Sequence, residues 1–320
     1  MKVSVIIPTY NRPEVVLRAL ASLCQQTLPA DQFEVVVVDD GSEYAETAVT
    51  AQSYPFALKF IRQPNQGATI ARNNGVRQSR GEALVFMDDD VTASPPALAA
   101  LAGALAGDDK WLALGTLIAR AVTDSPFARE AVSEANTGID PAAGDRFVDF
   151  VWCNTQLLAV RRTDFEALGG LQDPTGGWPN WDDVDFGYRA HLAGFQLRRV
   201  ADAVGEHWDD SLSHLDKASQ RWRRAGQSAA KLFAKYPDLP PYLPMFRDKL
   251  PLDWRRDGAL LAGRKLARRL FSAGWVLRLL MWETAVLERI APSSAWLPRL
   301  YRWVQGGYLA LGYREGLDGV

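Results

Sequence analysis

Short apolar runs that alternate with helical patterns constrain the fold of this sequence more than any other feature. Such runs predict buried strands of a parallel sheet, because both faces of these strands are covered. Between the runs, Val16, Leu20 and Leu23 recur at helical spacing, and Ala68–Gln78 forms a second helical segment. The alternation predicts an α/β domain with a mostly parallel central sheet flanked by helices. Its first predicted strands are Lys2–Pro8, Phe33–Val38, Leu58–Ile61 and Leu84–Met87.

Polar residues follow these strands. Asp88, Asp89 and Asp90 come directly after the last one, and three adjacent carboxylates repel one another unless a positive charge lies among them. Open α/β sheets place their ligands at the carboxyl ends of parallel strands, where Thr9–Arg12 and Asp39–Ser42 are also expected. The pattern indicates a divalent cation that carries a phosphorylated substrate. The alternative is a solvated acidic turn.

Two classes of nucleotide site are disfavoured by missing motifs. No Gly-x-Gly-x-x-Gly follows the first strand and no Gly-x-x-x-x-Gly-Lys occurs, which argues against a dinucleotide fingerprint and a P-loop.

The two cysteines, Cys24 and Cys153, form no metal or disulfide pattern. A strand that begins at Lys2 and the lack of an apolar run near ~20 residues predict a cytoplasmic location.

Charge is divided unevenly along the chain. Residues 1–220 hold 18 Lys or Arg against 30 Asp or Glu, whereas residues 221–320 hold 18 against 8. An acidic body with a basic tail indicates an anionic partner for the tail, either a membrane surface or phosphates. Nucleic acid is not expected as a partner.

Four motifs carry a resemblance to a known family. In order, they are VSVIIPTYNR, VVVDDGS, NQGATIARNNG and GEALVFMDDDV. Each is unspecific alone, but together they resemble the nucleotide-binding half of a family 2 glycosyltransferase. The resemblance implies the GT-A fold and metal-dependent, inverting transfer of a sugar from a nucleoside diphosphate sugar, with a UDP-sugar preferred. It also implies a hydroxyl acceptor on a glycan or lipid, in the synthesis of a surface polysaccharide or glycolipid.

The resemblance implies a donor site at the ends of the first strands. The base and ribose are expected against Pro8–Tyr10 and Asp40, and Asp88 or Asp89 is expected to accept a hydrogen bond from a ribose hydroxyl. A guanidinium is expected near the diphosphate or the base. The predicted nucleotide-sugar-binding residues are Pro8, Thr9, Tyr10, Arg12, Asp40, Arg72, Asp88 and Asp89.

A second acidic cluster lies in Gly176–Arg189, GGWPNWDDVDFGYR. Asp182 and Asp183 open a predicted helix, although acids in a first turn also suit the helix dipole. By position in the family's motif, Asp183 matches the general base and Asp182 matches an acceptor-binding acid, where glutamate is commoner. Trp178 and Trp181 are predicted to contact the acceptor, with a hydrophobic plug as the alternative.

Mn²⁺ or Mg²⁺ is expected at the first acidic cluster, with Asp90, Asp88 and His207 as ligands. His207 is included because members of the resembled family often place a ligating histidine just past the acidic helix, and imidazole beside carboxylates suits Mn²⁺. It follows a predicted short strand, Gln196–Val204. A lone histidine is more often structural, so a packing role stays open.

The basic tail has the composition of a helix that lies on a surface. Leu260–Arg289 is predicted to be helical, with Arg and Lys among the leucines, and five of the eleven tryptophans follow Asp253. This combination is typical of a segment in a membrane interface. The prediction is a peripheral position on the inner face of the cell membrane. A helical pair packed on the catalytic domain or on a twin subunit of a homodimer is the alternative.

We expect a GT-A domain over residues 1–238 and a helical tail over residues 239–320. Residues 1–106 are the predicted nucleotide-binding half and residues 107–238 the acceptor-binding half. Two other functions stay open. A sugar nucleotidyltransferase also uses Asp-held Mg²⁺ but normally needs a glycine-rich phosphate loop. A non-catalytic nucleotide-sugar or glycan-binding subunit would not need both acidic clusters.

Overall fold

The computed structural model describes residues 2–43, 45–107, 109–173 and 181–318, without the side chains of residues 45–47 and 141. The chain divides into two compact units. The first unit comprises Met1–Arg120, Asn136–Asp173 and Asp182–Trp208. The second comprises Ala121–Ala135, Pro174–Trp181 and Asp209–Val320. The predicted boundary at residue 238 stays a prediction.

The first unit is built on a mixed sheet of nine strands. The strands are β1 (Val3–Thr9), β2 (Phe33–Asp39), β3 (Ala57–Arg62), β4 (Ala83–Met87), β5 (Val91–Ala93), β6 (Trp111–Arg120), β7 (Arg146–Val148), β8 (Leu157–Arg161) and β9 (Gln196–Trp208). Strands β3, β2, β1 and β4 lie side by side in this order and pair in parallel. Strand β8 pairs antiparallel with β4 and β6, and β9 pairs parallel with β6 and antiparallel with β5 and β7. The predicted α/β class is confirmed.

Helices surround the sheet in the first unit and build the second unit. Two apolar cores, one rich in β1 and β2 side chains and one around Phe86 and Phe186, cover the sheet of the first unit. Helices α5 and α8 to α11 belong to the second unit. The helices are α1 (Pro13–Leu23), α2 (Ala45–Thr50), α3 (Ala68–Gln78), α4 (Ala97–Ala104), α5 (Pro126–Ala135), α6 (Arg162–Ala167), α7 (Asp182–Leu192), α8 (Leu215–Lys235), α9 (Ala259–Phe271), α10 (Gly274–Ile290) and α11 (Leu297–Leu317).

The central strand β1 includes a proline that was expected to end it. Pro8 is paired with Val38 of β2, and the strand continues to Thr9. The register of β1 with β4 runs from Val3 to Ile6, so Pro8 lies where β1 has one neighbour. A residue without an N–H group is tolerated there because one side of the strand needs no donor.

Strand β9 is longer than predicted, and it contains His207. The prediction ended the strand at Val204, whereas the structure continues it to Trp208. Partners on both sides explain the extension, because His207 pairs with Val91 of β5 and with Ala119 of β6. The histidine therefore occupies a fixed position in the sheet.

Two further segments differ from the sequence expectation. Residues 123–145, which show little apolar periodicity and suggest an irregular or loosely helical surface segment, contain the regular helix α5, which buries Phe127 and Ala128. The segment predicted to be helical over residues 260–289 consists of two helices, α9 and α10, with an angle of 79° between them. At the break, Ser272 donates both its N–H group and its hydroxyl group to the carbonyl oxygen of Arg268, at 3.0 and 2.6 Å.

The second unit depends on close packing of α8 and α11. A Cβ atom placed on Gly312 would lie 1.8 Å from the carbonyl oxygen of Arg223, so a side chain at this position would push the helices apart. Arg223 also pairs with Glu315 at 2.6 Å. Within the described residues, no single helix has the length and apolar character of a membrane span; α9 and α10 reach them only as a bent pair.

Candidate active site

The turn between β4 and β5 carries the first acidic cluster. The N–H group of Val91 donates to the carbonyl oxygen of Asp88 (3.1 Å), which closes the turn. Since Val91 pairs with His207 across β5 and β9, the imidazole lies beside the turn, with Nε2 at 3.4 Å from Oδ1 of Asp90. Burial opposes ionisation of Asp90, but His207 and Arg12 outweigh it and lower the pKa of this carboxyl.

Arg12 holds two of the three acids. It is the N-cap residue of α1, and its guanidinium donates from Nη2 to Asp89 Oδ1 (2.5 Å) and from Nη1 to Asp90 Oδ2 (3.1 Å). Thr9 Oγ1 donates to the other oxygen of Asp89 at 2.7 Å. Burial raises the pKa of Asp89 to about 7, although the positive charge of Arg12 acts to lower it. Asp89 is 1% exposed, which leaves Asp88 as the more accessible of the two acids predicted to contact the ribose.

Arg72 joins the two acidic clusters. Its guanidinium, on α3, donates from Nη2 to Asp88 Oδ1 (2.5 Å) and lies with Nη1 at 3.5 Å from Asp182 Oδ2. The side chain is buried, which works to lower the pKa of Arg72, but Asp88 and Asp182 outweigh burial and raise it. Two acids that are far apart in the sequence therefore share one cation.

The second acidic cluster opens α7. Asp182 is buried and accepts a hydrogen bond from Thr69 Oγ1 at 2.8 Å. Asp183 is half-buried, and its Oδ1 accepts from the N–H group of Val184 (2.7 Å). Burial, and then the charge of Asp182, raise the pKa of Asp183 to about 7. A carboxylate with a pKa near neutrality is suited to accept and release protons.

The position of α7 is set by close packing and by one arginine. A Cβ atom on Gly187 would lie 2.7 Å from the carbonyl oxygen of Phe150 and 2.6 Å from Cβ of Cys153. Arg189 pairs with Asp185 at 2.7 Å and donates to the carbonyl oxygen of Gly170 at 2.8 Å. Helix α7 is thus held against the segment before β8 and the turn after α6.

The remaining predicted donor residues have different environments. Tyr10 is 47% exposed beside the end of β1. Asp40 is buried and accepts hydrogen bonds from the side chain of Gln63 and from the backbone N–H groups of Gln66 and Gly67, at 2.8 to 2.9 Å. Asp40 thus shapes the loop that precedes α3.

The two predicted acceptor tryptophans were expected to present aromatic faces. Trp178 lies outside the described residues. Trp181 is buried in the second unit, where its indole N–H donates to the carbonyl oxygen of Ala225 (2.8 Å) and its ring lies 5.7 Å from that of Phe246. An aromatic platform at Trp181 would require the ring to leave this packing.

Two side chains near these clusters, Thr69 and Gln156, were not identified from the sequence, and the role of a third, Asp39, was not assigned. Thr69 holds Asp182, and Gln156 Nε2 lies 3.2 Å from Nε2 of His207. Asp39 Oδ2 is buried at the end of β2 and accepts no hydrogen bond from any described residue. The VVVDDGS motif contains both Asp39 and Asp40. The motif alone could not tell which of these two carboxylates organises the loop before α3.

The donor set at Asp90 fits a divalent cation only as part of a larger coordination sphere. Asp90 Oδ1 is buried and accepts no hydrogen bond from the described residues, and an imidazole nitrogen lies next to it. Asp88 is engaged by Arg72. Among the described residues no group of three or more His, Cys, Asp or Glu is arranged to hold a metal. Mg²⁺-type sites often complete such a sphere with substrate phosphates and water.

Comparison with known proteins agrees with these motifs and this architecture. Residues 4–148 match the family model described as Glycosyl transferase family 2. Over 291 residues the chain is 29% identical to glycosyltransferase AglE of Haloferax volcanii, covering 87% of this chain and 92% of that protein. These matches support a family 2 glycosyltransferase.

The chain also matches other relatives over part of their length. It is 27% identical over 272 residues to a validoxylamine A glucosyltransferase of Streptomyces hygroscopicus subsp. jinggangensis, covering 75% of this chain and 62% of the relative. A second such enzyme, from subsp. limoneus, is covered over 58% of its length. The chain thus spans about 60% of these relatives.

The fold of this chain is also found among solved structures. A mannosyltransferase from Pyrobaculum calidifontis, solved with GDP-Man and Mn²⁺, aligns over 99% of this chain and 87% of its own, with a TM-score of 0.62 and 23% sequence identity. The predicted GT-A fold is confirmed by this likeness together with the family match.

Proposed function

We propose that this protein is an inverting, metal-dependent glycosyltransferase. It moves a sugar from a nucleoside diphosphate sugar to a hydroxyl group of a glycan or lipid-linked acceptor. The family match supports the reaction class. The single observation that carries the residue assignment is the bridge Asp88–Arg72–Asp182, because it brings the acids after β4 next to the acids that open α7.

Asp183 is the general base of this proposal. Its carboxylate accepts the proton of the acceptor hydroxyl while that oxygen attacks the anomeric carbon. The bond from the anomeric carbon to the phosphate oxygen breaks, and the nucleoside diphosphate departs with the electron pair. A single displacement with one base inverts the configuration at the anomeric carbon. The pKa of about 7 supports this role.

Asp182 has a positioning role in the proposal. Its carboxylate is already held by Thr69 and lies near Arg72, so its orientation is defined before any acceptor binds. A pre-oriented acid beside the base is suited to receive a hydrogen bond from another acceptor hydroxyl. Such orientation of the attacking group contributes to rate by proximity.

The donor site of the proposal uses the ends of β1 and β4. The exposed ring of Tyr10 is available to stack on the base, and Pro8 and Thr9 form the floor beside it. Asp88 accepts a hydrogen bond from a ribose hydroxyl. Arg12 and Arg72 lie near the diphosphate, where their positive charges offset the negative charge that develops on the leaving group. Asp40 acts through the loop it organises, and Asp89 through Arg12.

Asp90 and His207, with Asp88 as a further ligand, would hold Mn²⁺ or Mg²⁺. The buried Oδ1 of Asp90, which accepts no hydrogen bond from the described residues and lies 3.4 Å from Nε2 of His207, supports this assignment, and imidazole with carboxylate suits Mn²⁺. When bound, the ion supplies Lewis-acid stabilisation of charge on the departing diphosphate. The relative from Pyrobaculum calidifontis was solved with Mn²⁺.

The remaining expectations stay predictions. These are the UDP-sugar preference, the assignment to polysaccharide or glycolipid synthesis, the cytoplasmic location at the inner face of the cell membrane, and a homodimer. Contacts of Trp178 and Trp181 with the acceptor also stay predictions.

The proposal is tested by measuring release of nucleoside diphosphate from UDP- and GDP-sugars by the purified chain, with Mn²⁺ and with EDTA. A panel of glycans and lipid-linked sugars serves as acceptors, and the anomeric configuration of the product is read by NMR. The expected result is metal-dependent release with an inverted product. A retained configuration would contradict the single-base mechanism. Binding of a sugar nucleotide without turnover on any acceptor would favour a non-catalytic binding subunit.

A further inference from the structure

The second unit exposes an apolar helix face that its own core does not cover. On α10, one side consists of Trp275, Leu279, Trp282, Val286 and Ile290, which we call the apolar strip. Their spacing places them on one face of a helix. Trp275 is 67% exposed, Trp282 64% and Ile290 75%. Contiguous exposed apolar surface of this kind marks an interaction site.

Helix α9 adds to this surface. It meets α10 at Ser272–Ala273, and it exposes four large apolar side chains of its own. These residues are Leu260, Leu266, Leu270 and Phe271. Both arms of the bent pair therefore carry apolar side chains that face solvent.

The apolar strip continues into a groove. The groove has a volume of about 370 Å³ and is lined by Trp282, Val286, Ile290, Trp296 and Leu300, together with Glu283 and Leu287. Its lining is almost entirely apolar, and Trp296 is itself 63% exposed. Such a groove suits hydrocarbon better than a polar ligand.

Positive charge borders the apolar surface. Arg278 and Arg289 follow one edge of the strip on α10, and Arg264 and Arg269 are exposed on α9. Residues 259–290 hold six Lys or Arg against two Glu. Arg278 and Arg289 form no ion pair within the described part of the chain. Their charges are therefore available to an external anion.

A basic pocket lies against α9. It has a volume of about 340 Å³, and its lining includes Lys249, Lys265, Arg268, Arg269 and Arg314. Asp248 pairs with Lys249 and Arg268, and Asp257 with Lys265. Asp318 also lines the pocket, so five cations face the three carboxylates of Asp248, Asp257 and Asp318, and the net charge stays positive. The pocket is therefore suited to a phosphate group.

We infer that α9 and α10 bind the surface of an anionic lipid bilayer. The tryptophans and leucines enter the interface between headgroups and hydrocarbon, and the arginines contact lipid phosphates. Charge complementarity favours this occupant over a second copy of the chain, because two such faces would bring the same arginines against one another. The inference does not depend on the proposed sugar transfer.

The test is co-sedimentation of the full chain with vesicles of phosphatidylcholine alone and with phosphatidylglycerol added. We expect stronger binding to the anionic vesicles and weaker binding as salt is raised. The variant W275S/W282S removes two exposed rings, and we expect its partition coefficient to fall at least about tenfold. R278Q/R289Q is expected to lower binding to anionic vesicles by roughly 30-fold at low salt.

Matched controls lie in the first unit. Trp152 is 60% exposed there, so W152S removes a comparable ring, and R77Q/R80Q removes two exposed arginines. Both are expected to bind vesicles like the parent chain. The inference is overturned if the parent chain does not co-sediment or if the α10 variants bind unchanged. It is also overturned if light scattering shows a dimer that W275S/W282S dissociates. Donor turnover of the variants in solution is measured separately and tests the proposed function alone.

Discussion

At the residue scale, the candidate site consists of acids whose charges are arranged around two arginines. Arg12 and Arg72 each contact two carboxylates, and together they engage Asp88, Asp89, Asp90 and Asp182. Asp183 makes no ion pair within the described residues and carries a raised pKa. The acid without a cationic partner is therefore the one best suited to exchange a proton.

Replacing Asp183 by Asn is expected to lower kcat by about 10²- to 10⁴-fold, because the amide cannot accept the proton. Binding of the nucleoside diphosphate, measured by titration calorimetry, is expected to change by less than about threefold. The control is Asp202→Asn, an exposed acid of β9 outside the site. Equal turnover of the two variants would remove Asp183 from the mechanism.

The pH dependence of kcat/KM is expected to follow the same group. Burial and Asp182 raise the pKa of Asp183 to about 7, and the base works only when unprotonated. Activity should therefore fall about tenfold per pH unit below about pH 7 and reach a plateau above it. A profile that is flat between about pH 5 and 8 would contradict this. The profile is recorded with saturating metal to keep metal binding constant.

Arg72→Met is expected to destabilise the protein by about 3 kcal/mol or more, because Asp88 and the buried Asp182 lose their shared cation. Urea denaturation measures the change. Arg77→Met, on the exposed side of the same helix, is expected to stay within about 0.5 kcal/mol of the parent. Similar losses of unfolding free energy in the two variants would mean that the Asp88–Arg72–Asp182 bridge does not stabilise the fold.

At the element scale, strand pairing and helix packing place these residues. The turn after β4 leads into β5, and the pairing of β5 with β9 brings His207 to Asp90. The sequence predicted α3 with its observed bounds, because its glycine start and helical pattern are local signals. It did not predict β5 or the full length of β9, since both depend on partners distant in the chain.

Gly187→Ala is expected to lower the free energy of unfolding by about 1–3 kcal/mol, since the new Cβ atom meets the Phe150 carbonyl oxygen at 2.7 Å. It should also reduce kcat, because α7 carries Asp183. The control is Gly103→Ala in α4, where the new Cβ atom has no neighbour within 4 Å. There the exchange should be neutral or stabilise by about 0.5–1 kcal/mol. Urea denaturation that found equal effects would refute the packing argument.

At the scale of the whole molecule, the chain combines a sheet unit that holds the candidate site with a helical unit rich in Arg and Trp. The uneven charge of the sequence anticipated this difference in character. The break between α9 and α10 and the helix α11 were not predicted, because their boundaries depend on packing within the second unit.

Thermal unfolding of the whole chain is expected to respond to donor products. GDP or UDP with Mn²⁺, at about one hundred times the dissociation constant, should add about 2.7 kcal/mol and raise Tm by several degrees. EDTA should abolish the metal-dependent part of the shift. Asp90→Ala is expected to lose this part as well, whereas Asp202→Asn should keep it. A shift that is equal with and without Mn²⁺ would contradict the metal assignment.

The sequence by itself determined the α/β class, the family and the two acidic clusters. Apolar runs, strand-end acids and ordered motifs are local patterns that do not depend on distant residues. Tertiary structure alone decided that Arg72 lies between the clusters, that His207 faces Asp90 and that Trp181 is buried. Each of these depends on contacts between residues that are far apart in the chain, and a sequence pattern contains no distances.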